Sequence, residues 1–242
     1  MDKAPVAVIA GVGEGLGFAL GKRFARAGYN VALAARSAER LARLAGEIVK
    51  AGGRAFAAPT DLREEQEVMA LFDALESEHG PVDVAVFNAG ANFRASLLDT
   101  PADMFEKVWR LGCYAGFLFG REAARRMAPR GKGTILFTGA TASLRGASHF
   151  AAFAAAKNGL RAVAQSMARE FGPKSLHVAH VVIDGMIDTE AVRARFADRV
   201  ADLGPDAMLD TAAIAELYYQ LHAQPRSAWT FEADLRPWAE KF

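Results

Sequence analysis

The run Val6-Ala-Val-Ile-Ala-Gly11-Val-Gly13-Glu-Gly15-Leu16-Gly17 constrains this chain more than any other stretch. An apolar strand feeds a glycine-rich turn, and a helical pattern follows at once. Glycine lets the backbone take positive φ and come close to a ligand, and the next helix offers unpaired N–H groups and a partial positive charge at its N-terminus. Together they make a cradle for nucleotide phosphates. The segment Phe18 to Gly28 has helical periodicity and a glycine stop, and a second apolar strand, Val31-Ala-Leu-Ala-Ala35, comes soon after. This context lifts the turn above a lone glycine spacing, which alone marks only a tight strand–helix connection.

Short apolar runs alternate with longer amphipathic ones from end to end, the pattern of an α/β doubly wound, Rossmann-type parallel sheet. Strands are expected at 5–10, 30–35, 54–58, 82–88, 133–138, 177–183 and 228–233. Helices are expected at 16–27, 38–51, 64–79, 101–111, 114–128, 151–171 and 211–222. With 242 residues and 52% hydrophobic content the chain can bury one large core, so residues 1–242 read as a single domain. The charged stretch 188–205 reads either as a substrate lid or as a surface helical excursion.

Charge and cysteine usage exclude several functions. The 29 basic and 28 acidic residues are interspersed and leave a net charge of +1, so no basic face of the kind that binds nucleic acid is expected. One cysteine excludes an internal disulfide and a cysteine-based zinc site, and no metal is expected. The N-terminus lacks signal-peptide character, which points to the cytoplasm. Lys22, Arg23 and Arg26 interrupt the first helix, and similar charges elsewhere keep every apolar run below membrane-spanning length.

In an open α/β sheet the ligand crevice lies outside the carboxyl ends of the strands. After the second strand, Ala35 stands where a carboxylate would bind the ribose hydroxyls of NAD(H), and Arg36 follows. A cation there suits a 2′-phosphate, so NADP(H) is favoured, with NAD(H) kept open. Glu14 in the glycine turn opposes that choice if it lies near the same phosphate, and Arg36 also reads as a solvated loop residue. After the third strand, Asp61-Leu62 is placed to accept from an adenine amino group, or else to cap the next helix. Asn88-Ala89-Gly90 follows the fourth strand as a tight polar turn that passes close to a ribose.

These pieces resemble the short-chain dehydrogenase/reductase family over nearly the whole chain. The resemblance rests on Gly11-x-x-x-Gly15-x-Gly17, Asp61-Leu62, Asn88-Ala89-Gly90, the strand Gly133 to Thr138, the helix around Lys157, and Gly185-x-Ile187-x-Thr189. It implies a nicotinamide cofactor held by Gly11, Gly13, Gly15, Leu16, Gly17, Arg36, Asp61, Leu62, Asn88, Ala89, Gly90, Lys157, Gly185, Ile187 and Thr189. It also implies a small-molecule substrate and a homodimer or homotetramer.

One departure matters. The family's Tyr-x-x-x-Lys reads Phe153-Ala-Ala-Ala-Lys157 here, the family serine falls on Ala140, and the family's helix asparagine falls on Cys113. Only Lys157 remains, to bind the nicotinamide ribose as the resemblance implies. Substitute acids are His149, four residues before Phe153, and Asp184, which follows the sixth strand. Tyr114, Thr138 and Thr141 are weaker candidates, and Cys113 reads as a small core residue. Phe93, Leu144, Phe150, Phe153 and Met186 suggest a small apolar carbonyl, alcohol or activated alkene. Two readings follow: an oxidoreductase with a remodelled proton-transfer site, or a nucleotide-binding pseudoenzyme without turnover.

Overall fold

Continuous Val/Ile/Ala runs with no polar alternation bury both faces of a strand, which parallel sheets covered by helices require. The computed structural model describes residues 4–240, which form seven strands; the inner ones are buried, whereas the edge strands Arg54–Pro59 and Glu232–Leu235 are partly exposed. The seven are β1 (Val6–Ala10), β2 (Asn30–Ala35), β3 (Arg54–Pro59), β4 (Val82–Phe87), β5 (Gly133–Thr138), β6 (Leu176–Ile183) and β7 (Glu232–Leu235). All pairings are parallel, in the order β3-β2-β1-β4-β5-β6-β7. The order reverses between β1 and β4, so the carboxyl ends of these two strands open the crevice.

The helices are α1 (Leu16–Arg26), α2 (Ala38–Lys50), α3 (Glu65–Ala74), α4 (Ala102–Trp109), α5 (Ala115–Met127), α6 (Ala151–Phe171), α7 (Glu190–Arg195), α8 (Ala197–Ala201) and α9 (Thr211–His222). On one sheet face α1, α2 and α9 bury Leu20, Phe24, Leu41, Ile48, Ile214 and Tyr218. On the other, α3, α5 and α6 bury Val68, Phe72, Leu118, Phe119 and Leu160. Among the described residues no helix is long and apolar enough to cross a membrane.

Three boundaries differ from the sequence reading. The expected helices 101–111 and 114–128 are one run, because α4 passes through a π-helical turn, Arg110–Tyr114, directly into α5. No breaker separates them, and small residues in the turn let α6 approach closely. In the turn a Cβ on Gly112 would lie 2.9 Å from Ala156 of α6, and just beyond it in α5 a Cβ on Gly116 would lie 2.3 Å from Leu160. Helix α3 likewise ends early, in a π-helical turn at Leu75–His79. The last strand lies at Glu232–Leu235 rather than 228–233. Pairing with β6 begins only at Glu232 opposite His180, while Trp229 stacks on His177 with ring centroids 4.9 Å apart.

The stretch 188–205 forms the two short helices α7 and α8, with largely exposed residues. A bridge between Ile187 and Leu209 ties the base of this excursion to the body, and at its far end Trp238 Nε1 donates to the Pro205 carbonyl at 3.2 Å.

Candidate active site

The glycine turn is fixed by contacts that explain its sequence. Gly11 has φ of 83°, and a Cβ there would fall 2.5 Å from the Ala89 backbone nitrogen. Asn88 locks the arrangement: its backbone N–H donates to the Ala10 carbonyl at 2.9 Å, and its side-chain amide donates to the Gly11 carbonyl at 3.3 Å. Gly13 differs, since a Cβ there would meet nothing within 4 Å. The surrounding fold does not demand glycine at 13, where the space is open. Gly15 precedes α1 without any side-chain cap, and the first turn of α1 holds no acidic residue. Its N–H groups are therefore available to phosphate. Thr189 closes this side, its methyl lying 2.7 Å from where a Gly15 Cβ would sit.

Arg36 lines a depression beside the turn together with Gly13, Asp61, Leu62, Asn88 and Gly90. Its guanidinium has no hydrogen-bond or ion-pair partner among the described residues. Glu14, the expected opponent of a 2′-phosphate, pairs with Arg43, which also binds Glu47 at 2.6 Å. Asp61 does not cap α3, which starts after Glu64. Its carboxylate accepts from the Arg63 backbone N–H at 3.1 Å and Nε at 2.9 Å, and Arg63 holds its pKa below the usual carboxylate range.

Beyond this depression a cleft of about 560 Å³ opens between the ends of β5 and β6 and the start of α6. Lys157 is buried at its floor and donates from Nζ to the Thr138 carbonyl at 2.8 Å. Burial without a counter-charge pushes its pKa down from 10.5 to about 8. Phe153 lines the cleft one helical turn earlier, its ring centroid 6.0 Å from the lysine Nζ. Ala140 lines the wall, and its N–H donates to Ser143 Oγ at 3.1 Å.

Of the other expected acids, Thr138 and Thr141 line the cleft with their hydroxyls engaged by Tyr218 and Asp184, whereas His149, Asp184 and Tyr114 lie outside the lining. His149 is exposed, with φ of 70°, and its backbone carbonyl accepts from the Ala95 N–H at 3.0 Å. The left-handed backbone ends the loop before α6 and leaves the imidazole out of the cleft lining. Asp184 is buried and accepts from the Thr141 hydroxyl, with Arg236 at 3.7 Å from its other oxygen. That engagement makes it a brace for the loop after β5. Tyr114 stacks on Trp109 with centroids 6.1 Å apart. Cys113 packs on α6, where a Gly159 Cβ would lie 2.7 Å from its sulfur, and burial pushes its thiol pKa up. Of the apolar candidates, Phe150 and Phe153 line the cleft; Phe93 packs on Val108 and Ala152, and Leu144 is exposed. Met186 is not among the lining residues.

Three features escaped the sequence reading. Asn92 and Arg145 line the cleft from loops after β4 and β5. The only available signal was their place after strand ends, where polar loop residues abound. Behind the loop at Gly139, His180 Nδ1 bonds Glu232 at 2.9 Å, and Glu232 takes Arg161 at 2.6 and 2.7 Å. Burial pushes His180 down to about 4, so it is neutral despite its carboxylate partner.

Strand order, uncapped glycine turn and lysine-floored cleft define a doubly wound dinucleotide-binding fold. The profile of the short chain dehydrogenase family matches residues 5–200, and the chain belongs to this family of oxidoreductases. A solved short-chain dehydrogenase from Rhodopseudomonas palustris is 47% identical, covering 98% of this chain and 100% of its own, with a TM-score of 0.83. A short-chain dehydrogenase/reductase of Armillaria gallica is 33% identical over 182 residues, 74% of this chain and 69% of its own. A metagenomic short-chain oxidoreductase solved in complex with NADP is 25% identical, covers 96% of this chain and 97% of its own, and superposes with a TM-score of 0.81.

Proposed function

We propose that the protein is an NADP(H)-dependent oxidoreductase acting on a small carbonyl, alcohol or activated alkene, with Lys157 as its proton donor. The observation that carries this reading is the placement of Lys157, buried on the cleft floor with a pKa of about 8. Besides Arg145 at the rim, no other ionisable side chain lines the cleft among the described residues. When bound, the nicotinamide supplies or takes the hydride. Lys157 then gives its proton to the oxygen of the breaking C=O bond and is left as a neutral amine, while Thr138 holds its Nζ in place. Asn88, Gly90 and Gly185 shape the wall against which the ring would rest. The relatives reported above are dehydrogenases and oxidoreductases, which favours turnover over silent nucleotide binding.

Phe153 and Ala140 lack the hydroxyls implied by the family pattern, so ordinary ketones should be reduced about 10²–10⁴ times more slowly than a phenol acid would allow. NADPH consumption with aliphatic ketones, aldehydes and enones tests the proposal. Cofactor binding without turnover of any of the three classes would overturn it.

Cofactor choice gives a separate test. Arg36 is unpaired, and a charge-assisted bond to a 2′-phosphate contributes about 1.5–3 kcal/mol. NADPH should therefore bind at least ~10 times tighter than NADH, and Arg36→Ala should remove most of that ratio. Fluorescence titration reads both, and equal or tighter NADH binding by the wild type would reverse the assignment.

Assembly into a homodimer or homotetramer is proposed through α5 and α6. Phe105, Trp109 and Phe117 are 38%, 38% and 39% exposed along α4 and α5, an apolar face without cover in the single chain. On α6, Ala151, Ala155 and Ala162 are small enough to allow close approach of a second copy, whereas Ala152 is buried with Val108 and Ala156. Light scattering at micromolar concentration should give a dimer or tetramer; a monomer would contradict the proposal.

A further inference from the structure

We infer that this cleft selects substrates carrying a carboxylate on an apolar body, and that Arg145 is the residue that selects them. The inference rests on the oxidoreductase reading in placing the substrate in this cleft. Its own support is the charge balance of the lining: Arg145 and Lys157 are both cationic, and no carboxylate lines the cleft among the described residues. Lys157 is committed at the floor to the Thr138 carbonyl. Arg145 is exposed at the rim and anchored by its backbone N–H, which donates to the Thr141 carbonyl at 3.2 Å.

Its guanidinium has no hydrogen bond, ion pair or ring contact among the described residues. The nearby Arg94, by contrast, lies over the Phe150 ring at 5.9 Å. An arginine facing solvent alone would be a solvated loop residue. Arg145 instead borders a wall of Ala140, Ala142, Ala147, Phe150 and Phe153, which strips water from one side of any ligand held there. A planar guanidinium binds a carboxylate through two parallel N–H···O bonds, and reduced screening strengthens that pairing. The ligand that satisfies this lining puts its carboxylate at the rim, its apolar body along the wall and its reacting carbon above Lys157.

Octanoate and octanamide, alike in length and differing in charge, serve as probes in calorimetric titrations of the free and the NADPH-loaded enzyme. Octanoate should bind at least ~10 times tighter than octanamide. Arg145→Gln should erase that ratio, Arg145→Lys should keep part of it, and NADPH affinity should stay within about two-fold in both. Equal binding of the probes, no binding of either, or a ratio untouched by Arg145→Gln would overturn the inference. A large loss of NADPH affinity in Arg145→Gln would also overturn it, by assigning the arginine to the cofactor. Failure of the wild type to bind NADPH would remove the oxidoreductase reading instead, while the probe ratio on the free enzyme still decides the role of Arg145.

Discussion

Lys157→Met is expected to abolish carbonyl reduction, by roughly 10³-fold or more, while making the cofactor-free protein more stable near neutral pH. The two effects have one origin. Burial holds the lysine pKa at about 8 against 10.5 in the ordinary state. Below about 8 both folded and unfolded chains carry the proton, and the folded state bears the full cost of a buried charge, on the order of 3 kcal/mol. Between about 8 and 10.5 the unfolded chain binds more protons, so native stability rises with pH through that window. Methionine fills similar space without the charge, although the Thr138 carbonyl loses its Nζ donor.

Denaturant melts should therefore show a gain of about 1–3 kcal/mol for the variant near pH 7, fading as pH rises from about 8 and gone by 10.5. The catalytic profile runs in a related way. A donor must hold its proton, so the wild-type reduction rate should be level below about 8 and decline as pH rises through it, whereas oxidation should gain over the same range. A variant destabilised at neutral pH would refute the buried-charge account. Retention of wild-type turnover would remove Lys157 from the chemistry.

Most of the scaffold could be read from local pattern, because strands buried on both faces leave runs that are apolar throughout, as in Val6–Ala10, or broken by a single polar residue, as by Asp83 in Val82–Phe87. Strand order and parallel pairing agree with the doubly wound expectation, and six of the seven strands lie within a residue of their expected bounds. The seventh does not, because Trp229 and Phe231 look like strand residues locally while the pairing of Glu232 with His180 sets the register. The glycine turn was legible for the same reason as the strands: its constraint is backbone geometry, which the residue type carries. Side-chain roles were less so. His149 is near Phe153 in sequence, but its own backbone is left-handed and it stays exposed, and Asp184 was taken by a threonine 43 residues away. Burial of Lys157 also depends on strands and helices distant in the chain, so its lowered pKa had no local signature.

Phe153→Tyr combined with Ala140→Ser should raise reduction of simple ketones by about 10²-fold or more. Both positions already line the cleft, and both backbones are held: Phe153 within α6, Ala140 through its bond to Ser143 Oγ at 3.1 Å. A phenol on the ring of residue 153 would bring its hydroxyl into the cleft beside the lysine ammonium, whose charge favours the phenolate and lowers the phenol pKa. Proton donation would then pass from Lys157 to a group with a different titration. The double variant should accordingly change in two ways at once, with faster turnover and a pH midpoint displaced from about 8. A rate increase that leaves the midpoint in place would mean the hydroxyls only orient the substrate and Lys157 still gives the proton. No increase would mean the apolar wall formed by Phe153 and Ala140 is itself needed to seat the substrate. In that case the single variants should weaken binding of apolar ligands, a loss that the same calorimetric probes would detect.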